Sequence, residues 1–160
     1  LAALPTGEVT QEGFKPRVTV TGQRHPVSRG LPGDSPTEPS WGRWFRLIDV
    51  EPPTEGTVVM SGAEDKPLLV LNRVEKGRVA LLLSDQAWLW ARGYEGGGPH
   101  VDLLRRLAHW LMQEPDLEEE ALRASARGGE LVVERQTMAE ETAPVTVRTP
   151  SNRASMSLST

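Results

Sequence analysis

Two uninterrupted apolar runs constrain this chain more than any other feature: Leu68-Leu69-Val70-Leu71 and Val79-Ala80-Leu81-Leu82-Leu83. A strand with one solvated face alternates apolar and polar residues, so a continuous run predicts a strand covered on both faces, inside a layered sheet. Around them, residues 44–50 and 57–61 are short apolar or β-branched runs. Turn signals at Pro52-Pro53, Gly56, 62–66 and Glu75-Lys76-Gly77 separate the segments. The pattern predicts four consecutive strands, over 44–50, 57–61, 67–74 and 78–84. The longest apolar run is far short of the roughly 20 residues a membrane-spanning helix needs.

The flanks read differently. Residues 1–40 hold six prolines and five glycines, which punctuate rather than build elements, and the alternation over 17–21 is the one regular candidate there. Residues 87–98 read as irregular. The clearest helix covers 99–112, with Pro99 tolerated at its first position and Pro115 ending it. Leu103, Leu104, Leu107, Ala108, Trp110 and Leu111 recur at helical spacing and predict one buried face, opposite Asp102, Arg105, Arg106 and His109. Residues 114–129, with Glu118-Glu119-Glu120 and a closing Gly128-Gly129, read as a short exposed helix and connector. The domain reading is therefore an α/β domain over 1–115, a charged connector over 116–129, and a β module starting at 130–160. In that module 130–137 and 144–149 alternate as half-buried strands about a polar turn at 138–142.

The formal net charge of −4 excludes a strongly basic nucleic-acid binder, and the absence of cysteine excludes disulfides, thiolate metal sites and a cysteine nucleophile within these residues. His109 lies on the polar helix face, and His25 sits in a loop ahead of Pro26. His100 and Asp102 are two apart and do not face each other, whereas a metal needs three or four convergent ligands, so no metal site is read. Gly96-Gly97-Gly98-Pro99 lacks the Lys-Ser/Thr of a phosphate loop and the G-x-G-x-x-G spacing; it reads as a turn and helix cap, with no cofactor implied. The five tryptophans are unusual beside one Tyr and two Phe. Large aromatics are most often core or interface anchors, the alternative being stacking on a sugar or base together with Arg43, Arg46 and Arg92. Ser84-Asp85-Gln86 follows a buried strand at its carboxyl end, where α/β sheets place ligands. It lacks G-x-S-x-G and any neighbouring imidazole, so it reads as a hydrogen-bonding turn.

Four segments together resemble one family: 25–33 (His-Pro-Val-Ser-Arg-Gly-Leu-Pro-Gly), 41–46 (Trp-Gly-Arg-Trp-Phe-Arg), 77–93 with Ser-Asp-Gln-Ala-Trp-Leu-Trp-Ala-Arg-Gly, and 103–111. They are similar to the class I glutamine amidotransferase-like domain of large bacterial membrane proteins that often carry a von Willebrand-type region upstream; His-Pro-x-x-x-Gly-Leu is also similar to ThuA-like relatives. The resemblance implies the later portion of a flavodoxin-like, three-layer α/β domain, followed by the first strands of a β-sandwich-like module. It also implies that the strands carrying a nucleophilic Cys precede Leu1. Where active members carry a His-Pro-Glu-type segment at a late strand end, this chain has Ser84-Asp85-Gln86. The implied role is thus non-catalytic: a structural or protein-interaction segment of a parent anchored in the bacterial cell membrane, on its extracytoplasmic side. Its expected partner is the remainder of that parent chain, with self-association as a second expectation. Membrane contact would come only through segments outside this chain. The alternative is a ThuA-like sugar-binding or sugar-modifying module using Ser84, Asp85, Gln86, Trp88, Trp90 and Arg92. A ligand pocket would gather those side chains around one concave site, whereas packing would bury the indoles against the 104–111 helix.

Overall fold

The computed structural model describes residues 3–127, 130–139, 145–148 and 155–158. It is a mixed helix-and-sheet protein whose described strand pairs are all antiparallel. Two compact units divide it, Leu1–Glu119 and Glu120–Thr160. The boundary falls later than residue 115 because Glu118 and Glu119 are ion-paired into the first unit.

The first unit runs β1 (Pro5–Thr10), β2 (Arg17–Val18), β3 (Leu47–Val50), β4 (Thr57–Ser61), β5 (Pro67–Val74), β6 (Gly77–Leu82), α1 (Ala87–Ala91) and α2 (His100–Leu111). The sheet order is β2-β4-β5-β6, and β1 pairs separately with β3. The meander β4–β5–β6 forms as the turn signals predict. The β4–β5 connection closes with Lys66 N–H donating to Ala63 O at 2.9 Å. Its central residues Glu64 and Asp65 both have positive φ, 52° and 56°, as a type I′ turn requires.

Arg73 and Arg78 sit opposite each other in the β5–β6 register; Arg78 reaches the end of α2, and Arg73 the segment after it. Side chains alternate along a strand, so Leu69, Leu71, Ala80 and Leu82 share this helical face. Leu68, Val70, Val79 and Leu81 point to the other face, and β3 packs near β5. Leu68 to Leu71 are buried, as a doubly covered strand demands. The second run differs. β6 is the outer strand, and Val79 is 43% exposed. A continuous apolar run was thus a sound sign of two-faced cover for the inner strand only.

Other expectations are corrected by the structure. The 17–21 strand shortens to Arg17–Val18, because the Thr19 hydroxyl donates to Val58 O and accepts from Gly22 N–H, which starts a turn. The 44–50 strand begins at Leu47, Trp44 making an isolated bridge to Phe14. β1 lacks apolar periodicity because most of it is exposed; it is held by pairing with β3. Residues 87–98, read as irregular, contain α1 and a 3₁₀ turn at Tyr94–Gly96. The predicted helix over 99–112 forms, yet its apolar side chains are not all covered. Leu103 and Trp110 are buried, whereas Leu104 and Leu111 are each 38% exposed.

The segment 114–129, read as a short exposed helix and connector, contains no α-helix among its described residues. After a 3₁₀ turn at Pro115–Leu117 the chain forms β7 (Ala121–Arg127), paired with β8 (Glu130–Gln136). Leu122, Ala124 and Ala126 alternate with Arg123 and Ser125, a period of two. The Gly-Gly between Arg127 and Glu130 has the spacing of a two-residue hairpin. Arg123 lies opposite Glu134, a favourable cross-strand charge pair. The predicted strand over 130–137 is β8; that over 144–149 is β9 (Val145–Arg148), paired with β10 (Ser155–Leu158). Part of the turn expected at 138–142 lies outside the described residues.

Candidate functional site

The loop leaving β6 carries every candidate residue from the sequence. Its first side chains are committed to backbone. Ser84, buried, donates its hydroxyl to Arg46 O at 2.6 Å and accepts from Gln86 N–H at 3.3 Å. Gln86 Oε1 accepts from Phe45 N–H at 2.6 Å. These bonds fasten the 45–46 segment to the strand end, continuing the bond from Ile48 N–H to Leu83 O. Asp85 points outward and pairs with Arg46 at 3.1 Å, both side chains largely exposed. No imidazole reaches Ser84 among the described residues, since the polar partners of its hydroxyl are Arg46 and Gln86.

The indoles divide rather than converge. Trp90 is buried and donates Nε1–H to Gly42 O at 2.8 Å. Its ring lies 5.2 Å from Trp41 and 4.7 Å from Trp44, both tilted, which is the usual geometry of packed aromatics. A Cβ on Gly98 would come within 2.3 Å of the Trp90 ring, so this glycine lets the start of α2 rest on the indole. Trp44 Nε1 is the one buried side-chain polar atom without a partner among the described residues. Trp88 is 55% exposed, and Arg92 is exposed. The six residues are thus divided between core and surface; Trp90 belongs to the core, packed beside Trp41 and Trp44 in the cluster that also holds Leu103.

The most organised polar cluster lies elsewhere and went unread in the sequence. His25, buried, accepts Val27 N–H on Nδ1 at 3.2 Å, which places its proton on Nε2. Nε2–H donates to Glu119 Oε1 at 3.1 Å. Trp110 Nε1–H donates to the same oxygen at 3.1 Å, and Arg73 Nε–H reaches Oε2 at 3.2 Å. The His25 bond, aided by Arg73 and Trp110 against the cost of burial, holds the Glu119 carboxyl down at about 2. Burial opposes ionisation of Glu118 as well, but its bonds to Arg73 and Arg78 prevail and keep it below the usual carboxylate range. Arg78 is sandwiched between these groups, its guanidinium 5.0 Å from the Trp110 ring and donating to Trp110 O at 2.7 Å. The cluster's donors and acceptors bond chiefly to one another, while Arg73 and Glu118 remain partly exposed. It clasps the end of the first unit to its beginning.

A polar cleft of about 580 Å³ opens between Lys15, Arg17, Glu38, Arg43 and the 62–65 turn. Two of its cations are already balanced: Lys15 pairs with Glu38 at 2.6 Å and Arg43 with Glu95 at 2.6 Å. The Arg43 side chain and its backbone N–H together hold the Glu95 carboxyl at about 2. Among the described residues no group of three or more His, Cys, Asp or Glu could hold a metal, and no helix is long and apolar enough to cross a membrane.

Fold and site together define a small mixed helix-and-sheet unit whose most connected polar groups bond one another. Comparison of the chain with models of known families, with curated proteins and with solved structures finds no match.

Proposed function

We propose that this chain is a non-catalytic, glutamine amidotransferase-like segment with a structural or protein-interaction role, the later part of a flavodoxin-like domain in a membrane-anchored bacterial protein. The observation that carries the reading is the state of the strand-end loop. A serine nucleophile needs a base within hydrogen-bond reach; the Ser84 hydroxyl is instead spent on Arg46 O, and the buried imidazole of His25 is spent on Glu119. The coarse support is the mixture of helix and sheet; the described strand pairs are antiparallel, so the parallel layers of a flavodoxin-like domain belong to the proposal alone. The sugar-module alternative is less well supported, because Trp90 is core and Trp88 and Asp85 stand exposed, Asp85 paired with Arg46.

Ammonia release from glutamine tests the reading, measured on the chain and on the longer polypeptide the resemblance implies. The expected result is release at the blank rate. Turnover well above blank that is lost on Asp85→Asn would overturn it.

A further inference from the structure

We propose that the outer edge of β6, together with the uncovered flank of α2, is a docking groove for an extended apolar polypeptide segment that adds to the sheet as a further strand. The inference rests on the interaction-module reading above and names the kind of partner it takes.

The backbone supplies the first half of the argument. Leu83 N–H donates to Leu68 O, so the ladder alternation turns residues 77, 79 and 81 toward β5, and turns the N–H and C=O groups of Arg78, Ala80 and Leu82 outward. β6 ends the sheet order, and no described strand is hydrogen-bonded to its outer side. A row of donors and acceptors at every second residue is matched only by another extended backbone. The edge also lacks the usual protection: it holds no proline, and its one charged side chain, Arg78, is tucked under Trp110.

α2 supplies the second half. Arg106 donates to Arg29 O at 2.6 Å, and the loop holding Arg29 runs from β2 along β4, where Thr19 N–H donates to Val59 O. The charged flank of α2 therefore faces the β4 side of the sheet. α2 packs on β6, and at 100° per residue the flank turned away from Arg106 carries Leu107, Leu111, Leu104 and Ala108, on the side away from β4. Leu104 and Leu111 are exposed there. An incoming strand would set alternate side chains beneath this flank while its backbone met Arg78, Ala80 and Leu82. The occupant is thus an extended segment alternating apolar with polar residues, low in charge along the apolar row.

The probe is a capped peptide of alternating leucine and threonine with terminal lysines, titrated into the full chain and followed by amide NMR and hydrogen exchange. The expected result is saturable binding with new protection at Arg78, Ala80 and Leu82. Ala80→Pro removes an outward N–H and no β5 ladder bond; it should leave the circular dichroism unchanged and weaken binding by about tenfold. Leu104→Glu, acting through the helix flank, should weaken it similarly. Absence of binding, binding that survives both substitutions, or sedimentation as a dimer with these amides already protected would each overturn the proposal, the last in favour of a second copy. None of these outcomes bears on the ammonia assay, so the two readings fail separately.

Discussion

Replacing Glu119 by Gln tests whether the clasp stabilises the first unit. Three donors converge on this carboxylate: His25 and Trp110, each at 3.1 Å, and Arg73 at 3.2 Å. Folding lowers its pKa from 4.5 to about 2. At about 1.4 kcal/mol per pKa step this sets a ceiling of about 3 kcal/mol. The side chain retains 22% exposure, so solvent screening brings the expected contribution to about 2 kcal/mol. The sign follows from the direction of the lowering. The ionised form is favoured in the folded state, so the stabilisation is complete above pH 4.5 and drains away as pH falls toward about 2. Glu118, lowered likewise, adds to the same acid limb. Glu119→Gln keeps a carbonyl acceptor but loses the charge that Arg73 and His25 address. Urea unfolding across a pH series should show a deficit of about 2 kcal/mol at neutral pH, narrowing toward the acid end. Equal stability at neutral pH, or a deficit that stays constant through the acid limb, would refute the reasoning.

Other outcomes follow from the packing. Glu64→Asn with Asp65→Gly fits the positive-φ turn better than the native pair and should raise stability by about 1 kcal/mol in thermal unfolding, since the exposed Glu64–Lys66 contact it removes contributes little; a loss would contradict the turn geometry. Gly98→Ala should cost about 1–3 kcal/mol, because its Cβ meets the Trp90 ring at 2.3 Å. Chemical denaturation reads this directly, and an unchanged midpoint would show that the indole can move.

What the sequence disclosed depended on how strongly burial marked each element. Leu68 to Leu71 and the turn residues around them located the meander, and Pro99 with Pro115 bracketed α2 closely. β1 was invisible because its stability comes from pairing with β3 and its side chains stay in water. β7 was misread because its flanking glutamates suggested an exposed helix, although the Gly-Gly spacing already held a hairpin signal. Over 84–92 the reading missed α1, and a strand-end position says nothing about which side chains turn inward; Trp88 and Trp90, two apart, went to opposite environments. The clasp was illegible for a different reason. His25 and Glu119 stand 94 positions apart, and no local pattern links an imidazole ahead of a proline to a glutamate in an acidic run.

That separation also orders events during synthesis. The β4–β5–β6 meander needs only neighbouring residues and can assemble as soon as it emerges from the ribosome. His25, by contrast, must wait with its Nε2 proton unclaimed until Glu119 appears, so the first unit is secured only when nearly all of it has been translated. A nascent chain arrested just before that glutamate should be conspicuously more open to proteases than one arrested a short way beyond it.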